Sequence, residues 1–229
     1  MKKILSLFAA AFMLLAAGCS QAADDSVVLP PTRIGEGVSY ASLDKSYTFE
    51  TAFSEADVVA RIKVGNWLSE DTELDSTFFE ATVLQCFKGD IPETFILMQS
   101  GCSYYTVKNY PLFTYGNELL LFLNKGNPDN YEEGWPAPKY DIYYWITGSF
   151  STLLDVSYDA HGSRYYADRY GILSETMDIS TNYANQNDVS SEVFEAAVNA
   201  DPFIADISAY RYVFSETDFV DLINSYKTS

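Results

Sequence analysis

Between Thr51 and about Asp155 the chain alternates short β-branched, aliphatic and aromatic runs with breaks of Gly, Pro, Asn and Asp, the pattern of strands separated by turns. Five runs stand out: Asp57 to Trp67, Ser76 to Phe87, Thr94 to Gln99, Asn117 to Leu123 and Tyr140 to Thr147. In the second, Phe78, Glu80, Thr82, Leu84 and Cys86 share one face, and Phe79, Ala81, Val83, Gln85 and Phe87 share the other. That is the two-residue period of a sheet, with apolar residues on both sides. Gly89-Asp90, Gly116-Asn117 and Gly126-Asn127-Pro128-Asp129-Asn130 supply the turns. Ahead of the first run, Phe49, Ala52, Phe53 and Ala56 recur at helical intervals, which predicts a short helix over the sheet.

Beyond Asp155 the period changes. Val189, Val193, Phe194, Ala197 and Val198 fit one helix face, with Asp188 or Ser190 as cap. Ser215-Glu216-Thr217-Asp218 opens another, striped by Phe219, Leu222, Ile223 and Tyr226. Stripes this narrow are expected to dock on the strands, the alternative being that they serve a partner. Tyr165 to Leu173 reads as a further strand, and no internal repeat is found.

The first residues follow a different logic. Met1-Lys2-Lys3 is cationic, Ile4 to Ala17 is apolar, and Gly18-Cys19-Ser20 follows, the build of a secretion signal. The apolar stretch is shorter than the ~20 residues that cross a hydrocarbon core. Leu15-Ala16-Ala17-Gly18-Cys19 resembles a bacterial lipobox, departing from it in having Ala16 three places before the Cys. The resemblance implies a lipid on Cys19 and cleavage before it, the alternative being an ordinary signal peptide with a chance Cys. Four regions are expected: a leader over 1–18, a tether over 19–47, a strand-rich body over 48–155 and an α+β extension over 156–229. A flexible tether of residues 20–47 would span roughly 30 Å and let the body stand off the membrane.

Charge narrows the partners. The 14 Lys+Arg and 32 Asp+Glu give −18, and removal of Lys2 and Lys3 with the leader takes this to −20. Nucleic acid is excluded as a partner, because displacing counterions from phosphates needs the opposite sign. An acidic chain gains nothing from an anionic leaflet either, so attachment would rest on lipid. With Cys19 lipidated, Cys86 and Cys102 remain. Outside the reducing cytosol they are expected to form a disulfide, the alternative being two separate buried thiols. Two Cys and one His fall short of a structural zinc site, and neither a metal nor a cofactor is expected.

The segments Ala56 to Val64, Phe79 to Gly89 and Tyr115 to Leu123 resemble, in order and composition, the netrin-like module of tissue inhibitors of metalloproteinases. The resemblance covers about half the chain and implies a five-stranded antiparallel OB-type barrel. The inhibitory Cys-x-Cys amino terminus of that family is missing, since Ser20 and Gln21 follow Cys19. Metalloproteinase inhibition therefore does not carry over. The expected fold class is mainly β with added helices (α+β): an OB-like or netrin-like barrel with a C-terminal helical extension.

Candidate chemistry is sparse. Asp159-Ala160-His161-Gly162-Ser163 contains a nucleophile, a base and an acid, but its composition is that of a turn. Acids are so abundant that no pair is informative for glycoside hydrolysis. Glu80 draws notice because it lies inside an apolar strand. Asn127 to Gly134 lacks the register of an EF-type calcium loop, and Gly35-Glu36-Gly37 lacks the third Gly of a phosphate loop. The clearest surface signal is the group Tyr131, Trp135, Tyr140, Tyr143, Tyr144 and Trp145, which is either core or an aromatic face for a sugar or a protein. The reading is an envelope lipoprotein on the extracytoplasmic side of a bacterial membrane, serving as a non-catalytic binding module for a protein or glycan. A hydrolase using paired carboxylates is the alternative.

Overall fold

The computed structural model describes residues 27–31, 38–39, 47–107, 110–126, 139–149, 151–168, 190–201 and 212–227. In chain order they form β1 (Val38–Ser39), α1 (Phe49–Glu55), β2 (Val58–Asp71), β3 (Ser76–Lys88), β4 (Thr94–Ser100), β5 (Thr106–Val107), β6 (Glu118–Gly126), β7 (Tyr143–Ile146), β8 (Leu153–Tyr158), β9 (Arg164–Asp168), α2 (Ser191–Ala200), β10 (Tyr212–Ser215) and α3 (Glu216–Lys227). The chain is α+β and mainly β. Eight strands make one sheet in the order β10-β9-β8-β6-β2-β3-β4-β7, and β1 pairs with β5 in parallel.

The five expected runs are β2, β3, β4, β6 and β7, but the expected five-stranded antiparallel sheet needs two corrections. The sheet has eight strands, because β6 pairs with β8 through Leu119–Leu121 and β9 and β10 continue from there. It is also not wholly antiparallel, since β4 and β7 run parallel at Leu97↔Tyr144 and Met98↔Trp145. Beyond the stretch that meets β8, β6 pairs with β7 through Leu123–Gly126, while it pairs with β2 along Glu118–Leu123. Pairings thus run β2–β3–β4–β7–β6 and return to β2.

Two cores result, one on each face. Ala60, Ile62 and Val64 of β2 join Phe79, Leu97 and Leu121 in the first. Val59 points the other way and joins Leu120, Phe122 and Leu154 in the second, which α1 and α3 cover with Phe49, Phe53, Phe219 and Ile223. Helix α1 starts at a capping box in which the Thr48 hydroxyl accepts from Thr51 N and the Thr51 hydroxyl accepts from Thr48 N. At its other end Lys88 Nζ donates to the carbonyls of Phe53, Ser54 and Ala56, satisfying groups a helix C-terminus leaves open. Helix α3 begins where expected: Ser215 Oγ accepts from Asp218 N at 3.2 Å and donates to Asp218 Oδ2 at 2.7 Å.

Helix α2 departs from expectation. None of its residues is buried and Val193 is 58% exposed, whereas α3 buries Phe219 and Ile223. The expected tether is also pinned in two places. Val28 N donates to Asn66 Oδ1 at 2.9 Å, Trp67 N donates to Val28 O at 2.9 Å, and Val38–Ser39 pair with Thr106–Val107. Bulges in β2 and β3 leave main-chain groups near Asn66 unpaired within the sheet, and the incoming chain takes them up.

Candidate functional site

The aromatic group does not form one face. Tyr143 and Tyr144 are core residues: the Tyr144 ring meets Phe95 edge-on at 5.3 Å, and Tyr143 lies over Gly126, where a Cβ would come within 2.2 Å of the ring. Tyr140 is half-buried against Phe78 at 5.0 Å, and its hydroxyl is 3.0 Å from Ser69 Oγ. Trp145 keeps an exposed ring. Tyr131 and Trp135 lie outside the described residues, as do Cys19, Gly35-Glu36-Gly37 and Asn127 to Gly134. Tyr144 and Trp145 are successive strand residues and point to opposite faces, while Tyr143, on the same face as Trp145, is covered over Gly126.

The expected Cys86–Cys102 disulfide is corrected to two free thiols, Cys86 exposed and Cys102 buried. Ser76 pairs with Ser100, so Cys102 sits beside the start of β3 while Cys86 lies about ten residues further along it. At about 3.3 Å per residue this is roughly 30 Å, against the ~4.4–6.8 Å between Cα atoms that a disulfide needs. A folded sample should therefore yield one fast-alkylating thiol at Cys86 and a second, at Cys102, only on denaturation. Mass spectrometry of residues 20–229, which exclude Cys19, checks this, and a mass two hydrogens short, resistant to alkylation, would contradict it.

His161 is exposed in the β8–β9 turn. Asp159 Oδ1 accepts from His161 N at 2.9 Å and from Ser163 N at 2.7 Å. Slight desolvation works against it, yet these backbone donors hold the Asp159 carboxyl below its ordinary range. The acid closes a turn, in keeping with the turn composition. Glu80 is half-buried, opposite Ile96 and beside Gly65. Among the described residues no group of three or more His, Cys, Asp or Glu could hold a metal.

A cleft of about 490 Å³ opens between the 111–117 loop and β8, lined by Phe113, Asn117, Glu118, Asp155, Ser157 and Tyr158 among others. Its loop wall is fixed from below: Gln99, wholly buried, donates from Nε2 to Pro111 O at 2.9 Å and accepts at Oε1 from Phe113 N at 2.8 Å. The turn beneath closes through Asn117 Oδ1, which accepts from Thr114 N at 2.7 Å. Along the β6–β8 side runs a charged chain. Glu118 Oε2 accepts from Arg61 Nη1 at 3.3 Å and from the Tyr158 hydroxyl at 2.7 Å. Arg164 Nε reaches that hydroxyl at 3.4 Å, its guanidinium lies 5.6 Å from the Tyr158 ring centre, and its Nη1 pairs with Glu216 at the start of α3. Burial opposes it, but Tyr158 and Glu216 hold the Arg164 charge and raise its pKa. The neighbouring Tyr166 phenol is pushed up by burial and by Glu216.

Sequence reasoning missed Arg61, Gln99, Glu118, Asp155 and Tyr158. A usable signal existed for two of them. Arg61 interrupts Val58-Val59-Ala60 and Ile62, and Gln99 follows Phe95 to Met98; a polar residue inside an apolar run is buried only with partners. No family model, no curated protein and no solved structure matches this chain.

Proposed function

We propose that this protein is a lipid-anchored module on the extracytoplasmic face of a bacterial membrane that binds a glycan, without catalysis, in the cleft between the 111–117 loop and β8. The anchor rests on Cys19 at the end of its lipobox-like segment. The central strands are read as an OB-like, netrin-like barrel, a reading supported by the ring of pairings from β2 through β3, β4, β7 and β6 and by the parallel β4–β7 contact.

The observation that carries the ligand class is the chemistry of the lining. Asp155, Ser157, Asn117 and Glu118 present oxygen acceptors beside the half-exposed Tyr158 ring, a combination that suits the hydroxyls and flat C–H faces of sugars. Glu118 and Asp155 share the cleft, which keeps the hydrolase reading in view. A general acid, however, must be free to give up a proton, and Glu118 is held by Arg61 and Tyr158.

A glycan array probed with the protein lacking its leader, followed by titration calorimetry on any hit, tests both readings. Binding is expected in the micromolar range or tighter, with Asp155→Asn and Tyr158→Ala each weakening it about tenfold or more, the effect of losing a paired polar contact or a stacked ring. Retained affinity in both variants would move the site elsewhere. Cleavage of the bound glycan, lost in Glu118→Gln, would replace the binding reading with the hydrolase.

A further inference from the structure

Where the chain enters the sheet, it carries an apolar face that no described residue covers. Val27, Val28 and Leu29 are 47%, 42% and 59% exposed, and Leu68, next to the Trp67 that bonds Val28, is 38% exposed. Successive residues of an extended segment point in opposite directions. One of those directions would ordinarily be covered by the protein to which the segment is bonded, and here neither is. The hydrogen bonds at Asn66 and Trp67 fix this segment to the body. Only residues 20–26 then separate it from Cys19, and eight links reach at most about 28 Å when fully stretched.

We infer that the face made by Val27, Leu29 and Leu68 lies against the lipid bilayer, so that the body is held at the membrane surface and does not stand off from it. The inference rests on the lipidation of Cys19 in the proposed function. Charge favours a neutral lipid surface: with the leader removed the net charge is −20, and Asp71, Glu73 and Asp75 occupy the β2–β3 turn beyond Leu68, so the contact is apolar.

Two thiol positions report on this. Cys86 is exposed and pairs with Ala60, eight residues from Leu68 along β2, or about 26 Å at strand rise. Cys102 is buried and stays unlabelled. The lipidated protein, produced with its own leader, is labelled with an environment-sensitive fluorophore at Cys86, or in a Cys86→Ser background at Leu68→Cys or Leu29→Cys. It is then reconstituted in phosphatidylcholine vesicles carrying spin-labelled lipid. Labels at 68 and 29 should be quenched at least twofold more than the label at 86. Equal, weak quenching at all three with the lipid present on Cys19 by mass would overturn the inference and leave the anchor standing. A blue-shifted but unquenched label at 68 would mean that a second copy covers the face, and would also overturn it. Absence of lipid on Cys19 would remove the anchor reading and this inference together.

Discussion

Replacing Phe219 with Ala should destabilise the protein by about 3–5 kcal/mol, the range for emptying a filled aromatic site. Phe219 is fully buried, and its ring centre lies 4.7 Å from Tyr166, 5.6 Å from Phe87 and 5.8 Å from Phe49. Those three partners come from β9, β3 and α1, so one side chain joins the C-terminal helix to the sheet and to the first helix. In urea, with a slope of roughly 2–3 kcal/mol/M for a chain this size, the midpoint should fall by about 1–2 M. Val193→Ser, on the helix with no buried residue, should stay within about 0.5 kcal/mol of the parent. A loss below about 1 kcal/mol at Phe219 would mean that α3 is not part of the second core.

The contrast between those two helices marks what could be read from the sequence. Both show apolar stripes, and the stripe alone does not say whether a surface is within reach. Phe219 and Ile223 follow directly from β10, which places α3 over the sheet, whereas no described strand runs directly into α2. The strands were legible because their period and their turn residues agree. Gly89 illustrates the point: with φ of 80°, it sits where a Cβ would fall 2.1 Å from Asp57 O. What the two-residue period could not reveal were the bulges. Opposite Val59–Ala60 and Arg61–Ile62, β3 carries an extra residue each time, Phe87 and Leu84. Phe87 accordingly packs in the second core and not beside Phe79, and Leu84 is left exposed. The cleft was hidden for a related reason. Its lining comes from the 111–117 loop, β6 and β8, and each residue is unremarkable until register brings Glu118 and Tyr158 together, with Arg61 of β2 beside them.

Gln99 carries the second large effect, and it links stability to the cleft. Its carboxamide is wholly buried and spends both ends on the loop wall, donating to Pro111 and accepting from Phe113. Gln99→Leu keeps the volume and removes both partners, stranding a carbonyl and an N–H at about 1–3 kcal/mol each, or about 2–6 kcal/mol together. Any glycan affinity in the cleft should fall further than stability requires, because Pro111 to Phe113 form one wall of it. Gln99→Glu separates the two bonds. As a carboxylate the residue can still accept from Phe113 but cannot donate to Pro111, and burial beside a carbonyl raises its folded pKa above the unfolded value of about 4.3. A raised folded pKa gives stability that is fully present below the unfolded pKa and is lost as pH rises through the folded one. Urea midpoints of Gln99→Glu, relative to the parent, should therefore be closest at about pH 4 and diverge towards pH 7. A constant difference across that range, or a Gln99→Leu midpoint equal to the parent's, would show that the loop wall is held by something other than this side chain.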